Sequence, residues 1–430
     1  MRTIPLLLPC LLLAQYVEDS IDVHFPWISS LVYNSRADVI YGACEMDGLI
    51  FTIACSTNRV LRGQYTDHPL NLVYDSTDNK AYCTVYNYED VDSVLVIDGT
   101  THLRARGIPV PEATDLVWDP VPNRLYVSCT EANQVTVIDC ATDTVIGHIQ
   151  TSPEPLRMHL NNRYRKLYVQ CHGSERLEII DLHTLEVIKN ITVPGLPEAG
   201  YYSEAVDKCY CGAGVSVVVV DGATDSVVAQ IGQTGRSLSM VAVGRHSLVM
   251  AGGTHGGSDS VYVIDAASDT AVRAIPGVSS PYDLYWSEIS DLVYCASSQL
   301  DQVAVIAGNG SRMLGVLQVG DCPHSFAAAP RHRYLYVGHL GSGKVYVVRD
   351  TVSGIAETPD PERAEPLRPT LLTRAQLLTE LQQDPNQTLF DASGREVLRP
   401  NTIPPGVYFV RRLTADSQQL PASCKVLVTN

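Results

Sequence analysis

The sequence predicts an all-β fold, a propeller of four-stranded blades closed by an N-terminal strand, with a small β domain at the C-terminal end. Three observations carry that prediction. The phrase VTVIDCATDTVIGHI (135–149) returns as VVVVDGATDSVVAQI (217–231) and VYVIDAASDTAVRAI (261–275). Aligned on the acid that follows the apolar run, the copies place Asp98, Asp139, Asp181, Asp221 and Asp265 at intervals of 41, 42, 40 and 44 residues, the steady period of a repeat architecture. Each unit holds four short apolar or alternating runs rich in Val, Ile and Tyr, and no run sustains a 3.6-residue period.

The unit at 114–150 illustrates the elements. TDLVWDP, NRLYVSCT, NQVTVIDC and DTVIGHIQ read as four antiparallel strands, a to d, separated by turn residues. Tight a-to-b turns are expected at DSTDNK (75–80), DPVPNR (119–124) and NNRYRK (161–166), where Asp, Asn and Pro favour the turn backbone. Asp98, Asp139, Asp181, Asp221 and Asp265 each end a c strand and precede small residues and a Thr or Ser. The expected role is structural, a carboxylate accepting backbone N–H bonds across the c-to-d turn.

Degenerate copies at 49–61, 303–317 and 344–350 raise the count to eight units, with seven as the alternative. The last unit has strands a to c in SFAAAP, RYLYVGH and KVYVVRD but no d strand after them. At the other end, DSIDVHFPW (19–27) resembles a d strand with its exit loop. Pairing of this segment with Val345–Val348 is therefore expected, because it removes an open sheet edge.

The phrases RLYVSCTEANQVTVIDCATDTV (124–145) and KLYVQCHGSERLEIIDLHTLEV (166–187) resemble the YVTN family of β-propeller repeats, over roughly residues 19–350. That resemblance implies a secreted or surface repeat protein. Further along, FDASGREV, PPGVYFVR and KVLV, within 387–430, resemble the type A C-terminal sorting domain of the type IX secretion system. The implied partner is that secretion machinery. The early strands of such a module have only PTLLTRAQLLTELQQ (369–383) to represent them, which reads poorly as sandwich strands.

The domain organisation follows. Residues 1–14, MRTIPLLLPCLLLA, have one Arg and a short apolar stretch ending in a small residue, the pattern of a secretory signal peptide. The propeller occupies 15–350, a Pro- and Glu-rich linker 351–369, and the C-terminal β domain 370–430. No segment is long and apolar enough to be read as a transmembrane helix. Location at the outer surface or in the medium, by way of the periplasm, is the expectation. A net charge of −16 argues against nucleic acid as a partner, and the chain is expected to be a monomer. Cys83, Cys129, Cys171, Cys211 and Cys295 recur in b strands, as buried apolar filler would.

Chemistry is sparse in the sequence. No HExxH, GxSxG, P-loop or dinucleotide-binding glycine pattern occurs. Function is therefore expected in loops that share a face, where d-to-a and b-to-c connections surround one channel mouth. His24, His68 and His324 enter successive inner strands round the closed ring, and Asp67 adjoins His68. Glu89, Asp90 and Asp92, with Asp47, Glu131 and Asp259, make the b-to-c loops of that face acidic. Ligand binding is assigned to His24, His68, His324, Asp67, Glu89, Asp90 and Asp92. No cofactor is required by the pattern, although the three histidines would suit a transition metal such as zinc. The preferred function is a binding scaffold for a protein or glycan partner. The alternative is a metal-dependent or lactonase-like hydrolase at the channel mouth.

Overall fold

A computed structural model describes residues 15–86, 93–254 and 259–351, together with the strands Thr370–Thr373, Gln387–Asp391, Gly406–Arg412 and Ser423–Thr429. The signal-like segment 1–14 lies outside the described residues. Eight four-stranded antiparallel sheets form the blades of a β-propeller. Their inner strands are Ile28–Asn34, His68–Asp75, Ala113–Asp119, Pro155–Asn161, Pro197–Ser203, Arg236–Val243, Pro281–Ser287 and Pro323–Ala329, in blades 1 to 8. No α-helix occurs among the described residues; three single 3-10 turns interrupt the strands.

The ring closes as the sequence implied. Strand Tyr16–Asp22 pairs antiparallel with Lys344–Arg349, placing Ile21 opposite Val345, and so supplies the fourth strand of blade 8. Ile21 and Val23 then pack with Val345 and Val347 of their own blade and with Ile28, Ile40 and Phe51 of blade 1. Gln15 Nε2 donates to the Thr351 carbonyl at 2.8 Å, fastening one chain end of the propeller to the other.

Turn chemistry explains why the sequence breaks where it does. Each a-to-b turn contains one residue in the left-handed region: Asp38, Asn79, Asn123, Arg165, Asp207, Ser247, Asp291 and Arg333, with φ between 53° and 58°. Asp and Asn fill five of these eight positions because their short polar side chains tolerate that conformation. The c-to-d turns are held by the repeated acids. Asp98 accepts the Thr100 and Thr101 amides at 3.0 and 2.7 Å; Asp139 accepts the Thr142 amide at 2.9 Å. Asp181, Asp221 and Asp265 receive the amides of Thr184, Thr224 and Ser268 at 2.9, 2.8 and 2.7 Å. These backbone bonds hold all five carboxyls below their ordinary range.

Packing lies between blades. Tyr126, Val135 and Val137 of blade 3, for example, meet Met158, Leu167, Val169 and Cys171 of blade 4. Tyr41, Tyr82, Tyr126, Tyr168, Tyr210, Tyr294 and Tyr336 occupy one b-strand position and are wholly buried. Several of their hydroxyls end on the adjacent blade rather than at the rim: Tyr82 donates to Asp143 at 2.9 Å and Tyr336 to Asn58 at 2.8 Å. The b-strand cysteines are buried, and none of the ten cysteines among the described residues is in a disulfide.

Residues 1–355 and 356–430 form two compact units. In the second, the strands align in the order Thr370–Thr373, Ser423–Thr429, Gly406–Arg412, Gln387–Asp391. The first of these pairs parallel with Ser423–Thr429, so part of the segment that reads poorly as sandwich strands does enter the sheet.

Candidate functional site

The eight inner strands surround a cavity of about 370 Å³ at the upper end of the channel, the end that carries the d-to-a and b-to-c loops. Its wall repeats. Two residues after the start of the core strand segment, usually a Pro, stand Ser30, Asn71, Asp115, Arg157, Ala199, Ser239, Asp283 and Ser325, one from each blade. Five of them lace their inner strand to the next. Ser30 accepts the Leu72 amide at 3.1 Å, Asp115 the Met158 amide at 3.0 Å and Asp283 the Phe326 amide at 3.1 Å. Asn71 donates to the Thr114 carbonyl at 2.7 Å and Ser239 to the Pro281 carbonyl at 3.2 Å.

Arg157 is the sole cation of this ring of eight. Its guanidinium lies 3.6 Å from Asp115 in the neighbouring blade. Burial raises the carboxyls of both Asp115 and Asp283, and the positive charge of Arg157 opposes that rise in each; Asp283 is pushed up to about 7. His159 and His324 are pushed down to about 4, first by burial and then by Arg157. At neutral pH both are uncharged imidazoles. His324 Nδ1 is buried and meets no hydrogen-bond partner among the described residues, whereas the Gln170 amide beside His159 partly opposes its depression. The His159 ring packs closely on the next blade: a Cβ on Gly200 would lie 2.6 Å from its Nε2, so a larger residue there would displace the ring.

A second polar group stands above this neck. Glu198 forms a bidentate pair with Arg236 and lies 3.4 Å from His172 Nε2, whose Nδ1 lies 3.3 Å from Glu154. Bonding to Glu198 raises the Arg236 guanidinium further above its ordinary value. Tyr282 lies tilted against His324 with ring centroids 4.2 Å apart.

The sequence-assigned residues occupy different depths. His324 is the second residue of its inner strand, inside the channel, rather than in the loop. His68 begins its inner strand and is half-buried, and Asp67 beside it is exposed. His24 lies in the loop, at φ 67°, with Nδ1 3.0 Å from Asp22 and its ring largely in solvent. Glu89, Asp90 and Asp92 lie outside the described residues. Of the other acids, Asp47 and Glu131 are exposed on the upper loops, while Asp259 receives the Ser280 amide at 2.7 Å. Among the described residues no group of three or more His, Cys, Asp or Glu side chains is arranged to hold a metal ion.

Arg157, Asp115, Asp283, His159 and Glu198 are the residues that sequence reasoning missed. Their signal was a polar residue close behind the head of an apolar inner strand, as in PLRM (155–158) and PYDL (281–284).

No family model matches the chain. Over 147 residues, 33% of the chain, it is 28% identical to the uncharacterized protein YncE of Salmonella typhi, and equally to that of Salmonella typhimurium. The matched stretch spans 40% of the length of those curated relatives. Among solved structures, a chain of the mitotic checkpoint complex superposes with a TM-score of 0.54 at 12% identity, over 78% of this chain and 92% of that one. Kuenenia stuttgartiensis hydrazine synthase superposes with a TM-score of 0.54 at 14% identity, over 76% and 97%. At such identities the likeness is one of fold.

Proposed function

We propose that this protein is an exported, non-catalytic binding propeller that takes a polar group of a protein or glycan partner into the upper channel mouth. The observation that carries the reading is the convergence of Arg157, His159 and His324 on one cavity, with a buried His324 Nδ1 that meets no hydrogen-bond partner among the described residues. A guanidinium beside neutral imidazoles and carboxylates can both donate and accept hydrogen bonds, which suits hydroxyl, amide or carboxylate groups of a ligand. Most remaining polar side chains of the neck are bonded to neighbouring inner strands, an arrangement that fixes shape. The Glu198–Arg236 pair at the mouth adds a polar rim.

Binding of wild-type protein to glycan and peptide arrays, repeated with Arg157→Met and His324→Ala, tests the reading. The expected outcome is a partner whose affinity drops at least about tenfold in either variant while the melting temperature is kept within a few degrees. Equal binding by wild type and both variants would move the function to another surface. Hydrolysis of an ester or lactone panel that is lost in Arg157→Met would favour an enzyme instead.

Export belongs to the same proposal. Its support is the apolar 1–14 segment and the resemblance of 387–430 to a sorting domain, whose strand-like runs coincide with three strands of the C-terminal sheet. Deletion of 387–430 is expected to leave the propeller folded and retained in the periplasm. Normal accumulation of the truncated protein at the surface would refute it.

A further inference from the structure

The opposite end of the channel holds a larger cavity, about 630 Å³, formed by the lower ends of inner strands and their a-to-b turns. Its walls come chiefly from two near-identical corners, YYSE (201–204) in blade 5 and YWSE (285–288) in blade 7. Part of each corner is common scaffold. Tyr33, Tyr74, Trp118, Tyr202 and Trp286 share one strand position, and each bonds the Asp or Asn in its own turn, as Tyr202 does Asp207 at 2.7 Å and Trp286 does Asp291 at 3.3 Å. The rest is peculiar to blades 5 and 7. The preceding residue is Tyr201 or Tyr285 where blades 1, 2, 3 and 6 have Val, and the turn begins with Glu204 or Glu288 where the other blades have Ser, Pro, Asn or Gly.

Blade 6, between them, carries Ala242 and Gly244 at the positions that blades 5 and 7 fill with Tyr202 or Trp286 and with Glu. A Cβ placed on Gly244 would lie 3.7 Å from Ala205 Cβ in blade 5 and 4.0 Å from a ring carbon of Trp286 in blade 7, so this one small residue leaves the two corners facing across a gap. The lining residues include both carboxylates and no Lys, Arg or His. Nearby guanidiniums are turned to other acids: Arg163 lies 4.0 Å from Asp207 and Arg245 3.9 Å from Asp291, Arg245 also donating to the Glu288 backbone carbonyl. Burial raises the Tyr201 hydroxyl and Glu204 adds to that rise; burial, then Asp350 and then Glu288 raise that of Tyr285.

We propose that this lower cavity binds an organic ammonium cation, its alkyl groups against the aromatic walls of Tyr201, Tyr202, Tyr285 and Trp286 and its charge balanced by Glu204 and Glu288. Aromatic rings attract a desolvated cation through their quadrupole, and two carboxylates at the rim select charge over a neutral ligand of equal shape. The volume lies within the range of small-molecule sites. This site is independent of the upper mouth.

Calorimetric titration of the full chain with choline, with its neutral isostere 3,3-dimethylbutan-1-ol and with a trimethyllysine peptide tests the proposal. Choline, the peptide or both should bind at least about tenfold more tightly than the isostere, and Glu288→Gln should reduce that affinity about tenfold. Gly244→Leu, which fills the gap, should abolish it, and Arg157→Met should leave it unchanged. Preference for the peptide identifies a partner-borne cation, and equal or better binding of choline a free one. Equal binding of choline and isostere, no binding by choline or peptide, or binding that survives both Glu288→Gln and Gly244→Leu would overturn it. Glu288 is exposed, so Glu288→Gln keeps the test valid should the filled variant misfold.

Discussion

Lys166 of blade 4 and Asp225 of blade 5 form an ion pair with the ammonium 2.7 and 2.8 Å from the two carboxylate oxygens, and their side chains are only 10% and 12% exposed. The ammonium also donates to the Gly222 carbonyl at 3.0 Å. The same relation joins Lys80 to Asp143 and Lys208 to Asp269, again between adjacent blades. Removing one partner leaves a buried charge without compensation. Lys166→Met is expected to destabilise the propeller by about 3 kcal/mol, and Lys166→Met with Asp225→Leu to recover most of that loss. Denaturant melts of the single and double variants check this; an additive double variant would show that the pair is not coupled.

The repeat was legible because its parts depend on local chemistry. Alternating Val and Ile runs specify strands, Asn79 and Asn123 specify the turn backbone, and Asp139 with Thr142 specifies the next turn, all within a few residues of each other. Even the closure by Ile21 was legible, since a missing d strand and a surplus one stood at opposite chain ends. The lysine ties were missed although Lys80, Lys166 and Lys208 stand at one strand position, because each partner lies about 60 residues further on, in the second acid of the following unit's turn. Channel residues were obscured for a different reason. One position supplies Ser, Asn, Asp, Arg, Ala, Ser, Asp and Ser in turn, so no motif repeats. The grouping of His24, His68 and His324 treated a d-to-a loop as a point, whereas such a loop runs from rim to axis and each step along it changes the radius. His24 precedes its inner strand by four residues; His324 lies within one.

Asp283 gives the channel a pH dependence of a definite sign. It shares the neck with Arg157, Asp115, His159 and His324, and burial lifts it to about 7 in the folded protein. In the unfolded chain it titrates near about 3.9. Between these values the folded state holds the proton that the unfolded state releases, so the contribution of Asp283 is present below pH 4 and is lost as pH rises to 7. Asp283→Asn, which cannot ionise, is expected to gain thermal stability relative to wild type as pH rises from 4 to 7 and to hold a constant difference above that. A difference in melting temperature independent of pH would contradict the assignment.

The channel histidines act in the opposite direction. His159, His324 and the buried His339 are each pushed down to about 4, so below pH 6.5 the unfolded chain binds protons that the folded protein refuses. Their contribution is complete above pH 6.5 and is lost as pH falls through 4. The opposing trend comes from the buried carboxyls Asp75, Asp115 and Asp283, each raised by burial, and removal of one histidine leaves it untouched. Acid denaturation should therefore shift to lower pH in His324→Asn, when the midpoint is measured by near-ultraviolet circular dichroism against wild type. An unchanged or raised midpoint would mean that His324 is already protonated in the folded channel.

Closure makes the stability of blade 8 depend on residues more than three hundred positions away. Among the described residues, strand Tyr16–Asp22 is the outer neighbour of Lys344–Arg349, and Ile21 is buried where that strand meets the core shared with blade 1. Truncation of Ile21 leaves a cavity in the core that the strand shares with Lys344–Arg349 and blade 1. Ile21→Ala is expected to cost about 3 kcal/mol, the middle of the range for buried aliphatic truncation. Removal of residues 15–22 should do more than this, because it exposes the backbone edge of Lys344–Arg349 as well as the apolar surface of blade 1. Hydrogen exchange should then rise first along Lys344–Arg349 and Ile28–Asn34, with blades 4 and 5 retaining wild-type protection. Uniform loss of protection round the ring would instead mean that the propeller unfolds as one cooperative unit once its clasp is opened.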